Sequence, residues 1–93
     1  MGFKDIKEKV IADLLSRSFV HEGRNDIDEK NLLQCGKVSP DVVAEVLKKS
    51  RMHDHSNSQH HLDSNVEVHV IRCRDWYVKF YFDPDTTFIS VHQ

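Results

Sequence analysis

The chain has 93 residues, of which 39% are hydrophobic and 30% charged, and it carries a formal net charge of −2 at pH 7. This length suits one domain rather than two, and no apolar run approaches the roughly 20 residues that span a bilayer. We therefore expect a soluble, cytoplasmic protein without a membrane partner, and the slight acidity argues against a general polyanion binder. The charges within residues 1–9 do not fit a signal peptide, and Cys35 and Cys73, which share no CxxC motif, are expected to be reduced thiols.

The first half of the chain carries helical periodicity. Apolar residues recur at the spacing of one helical face over residues 3–18, at Phe3, Ile6, Val10 and Leu14. Asp26 is a suitable N-cap for a short second helix over residues 27–35. Ser39 and Pro40 then form a capping residue followed by a favoured first helical residue, so we predict a third helix that ends at the lysines before residue 50.

In the second half of the chain the helical periodicity of the apolar residues is lost. Residues 51–64 are polar and rich in histidine, and we predict a loop there. From residue 65 apolar and polar side chains alternate, which predicts three strands joined by turns at residues 74–75 and 83–86. Connections this short force antiparallel neighbours.

The predicted fold is therefore α+β. One domain covers residues 1–93, with a helical segment 3–50, the histidine-rich loop 51–64 and an antiparallel meander 65–92 whose sheet has three strands or slightly more. The N-terminal helices should cover one face of this sheet. In the predicted register that face bears Val66, Val68, Val78 and Phe80.

The opposite face of the predicted sheet is polar. It should carry Glu67, His69, Tyr77, Lys79, Tyr81, Ser90 and His92. A sheet face with this composition can simply be solvated. Several of these side chains can also transfer protons or bind phosphate, so the face is equally a candidate site.

The histidine-rich loop admits two interpretations. His53, Asp54, His55, His60 and His61 are ligand types that zinc, copper or nickel accepts. Structural zinc sites usually have regular paired spacing in rigid elements, which this loop lacks. We therefore predict neither a metal site nor a cofactor, while a metal-responsive domain stays the third hypothesis.

Ribonuclease chemistry is the other interpretation of these residues. Cleavage without metal needs a group that takes the 2′-OH proton, a group that protonates the leaving 5′-oxygen, and a cation for the phosphorane. Histidine, with a reference pKa of about 6.5, can serve in either proton role. The suitable residue types stand at the end of the third helix, in the loop and on the polar face.

Four local strings carry a resemblance to a known family: Val46-Leu47-Lys48-Lys49-Ser50, Asp54-His55-Ser56-Asn57-Ser58-Gln59, Trp76-Tyr77-Val78-Lys79-Phe80 and Phe88-Ile89-Ser90-Val91-His92. In this order the chain resembles the motility quorum-sensing regulator toxins (MqsR), within the broader RelE-like ribonuclease fold. The resemblance covers roughly residues 7–93. It implies an endoribonuclease toxin that cleaves mRNA by 2′-OH attack on the adjacent phosphate, with a cognate antitoxin protein as partner.

The resemblance also assigns residues. It implies active-site roles for Lys49, Gln59 and Tyr77, and it puts His92 where the family carries a lysine. We predict His92 and either His55 or His60 as the proton-transfer groups. RNA would be bound by nearby cations, namely Lys48, Arg51, Arg72 and Lys79.

The alternative is a non-enzymatic binding module, such as a phage or mobile-element protein that inhibits a host protein. Small acidic domains with one exposed sheet face suit that role. Residues 87–92 would form an edge strand in the predicted meander, and an edge strand can pair with a strand of a partner.

Overall fold

The computed structural model describes residues 2–23, 27–60 and 62–93, and these fold into helices and one five-stranded sheet. The helices are α1 Phe3–Ser16, α2 Ile27–Lys30 and α3 Pro40–Lys48, and the strands are β1 Phe19–His21, β2 His55–Gln59, β3 Glu67–Cys73, β4 Trp76–Phe82 and β5 Thr86–His92. The strand order is β1-β5-β4-β3-β2, with β1 parallel to β5 and the other pairs antiparallel. The predicted α+β class is confirmed, whereas the sheet is larger than predicted and mixed.

The helix ends follow local chemistry. The Ser39 side chain accepts a hydrogen bond from the Val42 N–H, with Pro40 in the first turn, which confirms the predicted start of α3. The second helix ends at Lys30, earlier than predicted, because Asn31 leaves the helix to bridge to Val91 of β5. The predicted N-cap Asp26 lies outside the described residues.

Two strands were missed by the sequence prediction. β1 has only three residues and lies within the segment predicted to be helical, and β2 lies within the predicted loop 51–64. Four of the five β2 residues are exposed, so the strand has no buried face to produce an alternating pattern. The prediction that residues 87–92 form an edge is also wrong, because β5 lies between β1 and β4.

The predicted register of β3 is wrong by one residue. Arg74 and Asp75 form a two-residue turn in which both φ angles are positive, 54° and 67°, as in the hairpin turns that match strand twist. This turn pairs Cys73 with Trp76 and Val68 with Tyr81. Val68 is therefore buried on the side of the sheet opposite to Val78, although the prediction put both on one face.

In the same register, Glu67 and His69 lie on the side of the sheet opposite to the one predicted. Ile71 and His69 pair with Val78 and Phe80, so His69 and Glu67 belong to the helix-covered side and not to the predicted polar face. The alternation of Val66, Val68 and Val70 misled the prediction because these valines line the other side of the sheet.

The core lies between the sheet and the helices α1 and α3. It contains buried residues from both layers: Ile6, Val10, Leu14, Val43, Ala44, Leu47, Ile71, Val78, Phe80, Phe88 and Val91. No helix within the described ranges is long and apolar enough to cross a membrane. We call the opposite side of β3, β4 and β5 the open face. It carries the polar or charged side chains of Arg72, Tyr77, Lys79, Tyr81, Ser90 and His92, together with Val68 and Val70.

Candidate nucleic-acid interface

A row of three side chains crosses one end of the open face. Arg72 of β3 pairs with Tyr77 of β4, and Tyr77 pairs with His92 of β5. The Tyr77 and His92 rings are stacked, with centroids 4.9 Å apart and planes 17° from parallel. The Arg72 guanidinium carbon lies 5.2 Å from the Tyr77 ring centroid, within cation–π range. The row thus combines a cation with two stacked rings.

Lys79 adds a second cation beside this row. It follows Tyr77 by two residues on β4, so its side chain points to the same face, and it pairs with Ser90 of β5. His92 is therefore a diagonal cross-strand neighbour of Lys79, at about 7–8 Å between backbones, which a long side chain can bridge. The open face is locally basic at this end although the whole chain is slightly acidic.

The His92 ring has a defined hydrogen bond. Its Nδ1 lies 3.2 Å from the carbonyl oxygen of Gln93. Because a carbonyl oxygen can only accept, Nδ1 carries the hydrogen and donates it. In the neutral ring this leaves the lone pair on Nε2, so Nε2 is the atom that can take up a proton.

A different cluster occupies the far end of the open face. Glu22, just after β1, accepts hydrogen bonds through Oε1 from Nε2 of His60 at 2.7 Å and from the Tyr81 hydroxyl at 3.2 Å. His60 packs edge-on against Tyr81, with ring centroids 5.1 Å apart. Burial, followed by the charge of Glu22, raises the pKa of Tyr81 and keeps its hydroxyl a donor.

His60 and His92 therefore lie at opposite ends of the face. Tyr77, which stacks on His92, and Tyr81, which contacts His60, are four residues apart on β4. That separation corresponds to about 13 Å along a strand, too far for both histidines to act on one phosphate. Glu22 was not predicted, because its contact with His60 spans 38 residues and no local pattern marks it.

His55 lies on the other side of the sheet. It pairs with Ile71, so it belongs to the helix-covered side, where its Nε2 lies 3.1 Å from Nδ1 of buried His69. Phe3 of α1 contacts the His55 ring at a centroid distance of 5.5 Å. The predicted partnership of His55 with His92 in proton transfer is not reproduced, because the sheet separates them.

The remaining predicted residues also lie away from the row. Lys49 lines a groove beside Trp76 on the helix-covered side, and Gln59 is exposed at the end of the edge strand β2, paired with Glu67. Lys48 is ion-paired with Glu45 at 2.9 Å. Arg51 is exposed at the start of a 3-10 turn. The structure thus brings together Arg72, Tyr77, Lys79 and His92, and it separates the other predicted residues from them.

The histidine-rich segment is divided between different contacts. His55 contacts His69, and His60 is hydrogen-bonded to Glu22. His53 lies 3.5 Å from the Asp54 carboxylate. Within the described ranges, no group of three or more histidine, cysteine or acidic side chains could hold a metal ion. His61, part of the metal hypothesis, lies outside the described residues.

The His55–His69 pair makes stability depend on pH. Burial lowers the pKa of both rings, against a smaller opposing effect of Glu67. The folded pKa values lie below the unfolded value of about 6.5, so the unfolded chain takes up these protons first as the pH falls. We expect the melting temperature to be constant above about pH 7 and to fall as the pH drops below about 6.5.

Variants separate this pair from other titrating groups. His55→Gln should flatten the decrease in melting temperature, because it removes one of the two rings. His53→Gln is the matched control, since the His53 side chain is 77% exposed, and it should keep the wild-type profile. An unchanged profile in His55→Gln would contradict the assignment. Thermal melts across this pH range provide the measurement.

Comparison with known proteins gives the chain no family assignment. No family model, no curated protein and no solved structure matches it. The function of the open face must therefore be inferred from its own side chains.

Proposed function

We propose that the open face binds single-stranded RNA and that the protein is a metal-independent endoribonuclease toxin of a toxin–antitoxin pair. The observation that carries the proposal is the row Arg72–Tyr77–His92 beside Lys79. It joins an aromatic platform, two cations and a proton acceptor on one sheet face. The resemblance to the motility quorum-sensing regulator toxins supports the same activity, because its tyrosine and its terminal-strand position fall on Tyr77 and His92.

The row suits an unpaired nucleotide. Proteins bind single-stranded RNA by stacking exposed bases on aromatic side chains or on arginine planes. Arg72 of β3 and His92 of β5 flank the Tyr77 ring from opposite sides, so a base stacks on the outer face of the His92 ring or of the Arg72 guanidinium, and Tyr77 holds both in place. Lys79 supplies a compact positive charge for the adjacent phosphate. The acidity of the whole chain does not oppose this, because phosphate contacts depend on the local charge.

Two side chains of this site, His92 and Lys79, would carry out the cleavage of RNA. Nε2 of His92 takes the proton from a ribose 2′-OH, and the 2′-oxygen attacks the adjacent phosphorus. The P–O2′ bond forms while the P–O5′ bond breaks, which gives a 2′,3′-cyclic phosphate. The Lys79 ammonium group stabilises the extra negative charge of the phosphorane and donates a proton to the leaving 5′-oxygen.

Binding tests the platform separately from cleavage. Tyr77→Val keeps a strand-forming residue and removes the ring that holds His92 and Arg72 in place. We expect it to weaken binding of a labelled single-stranded RNA by about tenfold to a hundredfold, the effect of losing one stacked base. Arg72→Ala should weaken binding uniformly across sequences and reduce the salt dependence by about one counterion. Fluorescence anisotropy at several salt concentrations provides the measurement. To prevent cleavage, the RNA carries 2′-O-methyl groups.

A control variant distinguishes binding at the open face from non-specific attraction of RNA to any surface cation. Lys4→Ala removes an exposed cation of α1, on the helix-covered side, and should bind like the unmodified protein. Equal loss of binding in Lys4→Ala and Arg72→Ala would indicate non-specific attraction and contradict an RNA site on the open face.

The second candidate is a protein-binding module that inhibits a host protein. The observation that favours it is the polar edge strand β2, with four of its five residues exposed. Such an edge offers backbone groups for strand addition. Growth arrest on induction, without RNA cleavage by the purified protein, would favour this candidate over the ribonuclease.

A further inference from the structure

A groove lies between α3 and the turn that joins β3 to β4. Its apolar floor is formed by Val42 and Val46 of α3 and by Trp76 of β4. Its volume is about 360 Å³, within the range of ligand pockets. Val42 remains 45% exposed. The floor is therefore available to an apolar group from outside.

Both acidic side chains at the groove are already paired with basic side chains. Asp41 accepts hydrogen bonds from both terminal nitrogens of Arg17, at 3.1 and 3.3 Å. These bonds, together with the charge of Arg17, lower the pKa of Asp41 and keep it ionised. Glu45 is paired with Lys48 at 2.9 Å. Neither carboxylate offers an uncompensated negative charge to a ligand.

The two basic side chains at the groove have no such acidic partner among the described residues. Lys49 ends α3 and Arg74 stands in the turn, and both line the groove and are exposed. Within the described part of the chain, neither side chain forms an ion pair or a hydrogen bond. The groove thus presents an apolar floor with two unpaired cations.

The groove is separate from the open face. Trp76 packs against the core on the helix-covered side, whereas its neighbour Tyr77 points to the open face. The floor contains one aromatic ring, that of Trp76, beside two valines, so it offers no row of rings for successive bases. An apolar floor with cations at the rim instead complements an apolar side chain flanked by carboxylates.

From these observations we infer that the groove is a docking site for an acidic segment of a partner protein, which inserts an apolar side chain between Val42, Val46 and Trp76. Carboxylates of that segment pair with Lys49 and Arg74. This inference does not depend on ribonuclease activity, because it uses other residues on the other side of the sheet.

Trp76 provides a direct readout, because it is the only tryptophan of the chain. The probe is a blocked synthetic peptide that repeats Glu-Leu-Leu-Glu, compared with versions in which every glutamate is replaced by glutamine or by lysine. We expect a saturable change in Trp76 emission with the acidic peptide and an affinity about tenfold lower for the glutamine peptide. The lysine peptide should bind most weakly. Added salt should weaken the acidic peptide more than the glutamine peptide.

Variants assign the binding to the two cations. Lys49→Glu reverses one charge at an exposed position, and Arg74→Asn removes the other while keeping a residue that tolerates a positive φ. Combining them should weaken the acidic peptide by about tenfold or more and reduce its preference over the lysine peptide. Lys4→Glu, on the exposed side of α1, should bind like the unmodified protein. Circular dichroism spectra establish that each variant is folded.

Several results would overturn the inference. They are no saturable emission change up to about 1 mM peptide, equal affinity for the acidic and lysine peptides, and unchanged binding in the double variant. Displacement of the acidic peptide by a uridine-rich RNA would also overturn it, because the groove would then be a nucleic-acid surface. None of these results tests the proposed cleavage, for which Lys49 and Arg74 are not required.

Discussion

Replacing His92 with alanine is expected to reduce RNA cleavage by about 10² to 10⁴-fold, the usual contribution of a general acid–base group. The physical reason is the orientation of its ring. The Gln93 carbonyl fixes the hydrogen on Nδ1, and Tyr77 holds the ring by stacking, which leaves Nε2 to take the 2′-OH proton. The free energy of unfolding should change by no more than about 0.5 kcal/mol, because the His92 side chain lies on the partly exposed surface.

Two further histidine variants make the result specific. His53→Ala removes an exposed histidine outside the open face and should cleave RNA at the unmodified rate. His92→Lys introduces the residue that the resembling family carries there, and should retain part of the activity. Cleavage of a mixed RNA substrate at equal protein concentration gives the rates. An unchanged rate in His92→Ala would remove this residue from the mechanism.

The largest loss of stability is expected for Phe80→Ala. Phe80 is 0% exposed at the centre of β4 and contacts the rings of His69, Phe82 and Phe88. Truncating a buried phenylalanine removes its transfer free energy and leaves a cavity, which together cost about 3–5 kcal/mol. That is a large fraction of the stability of a small domain. Urea denaturation followed by circular dichroism measures the change.

The matched control is Phe82→Ala on the same strand. Phe82 is only partly buried, so its truncation should cost distinctly less than that of Phe80. Equal losses at the two positions would contradict the layer arrangement. Because β4 carries both Tyr77 and Lys79, we also expect Phe80→Ala to lower RNA binding at temperatures where the variant begins to unfold.

Local chemistry made part of the fold predictable from the sequence. Ser39 and Pro40 fixed the start of α3, and the alternation after residue 65 indicated β3, β4 and β5. β1 escaped prediction because it has only three residues and its partner β5 lies far along the chain. β2 pairs with the next strand, and it escaped prediction because four of its five side chains are exposed. The register of β3 was predicted wrongly because the strand carries apolar residues on both sides, Val68 and Val70 on the open face and Ile71 and Cys73 on the helix-covered side, which makes the apolar pattern ambiguous.

The candidate site was predictable to a similar extent. Tyr77, Lys79 and His92 lie on the predicted polar face because β4 alternates regularly and the register shift in its pairing with β5 falls outside the pairs Tyr77–His92 and Lys79–Ser90. The wrong β3 register exchanged His69 for Arg72 on that face. The Glu22–His60 contact joins distant segments, and such contacts are set by the tertiary fold rather than by any local pattern.

Cleavage of chemically modified RNA tests the ribonuclease proposal most directly. The purified protein is incubated, in the presence of a metal chelator, with single-stranded RNA and with the same RNA carrying 2′-deoxy residues at the sites of cleavage. We predict cleavage of the unmodified RNA to 2′,3′-cyclic phosphate ends, loss of cleavage at each 2′-deoxy site, and strong reduction in His92→Ala. Failure to cleave any single-stranded RNA, or cleavage that persists at the 2′-deoxy sites, would contradict the proposal that the open face is a metal-independent ribonuclease site.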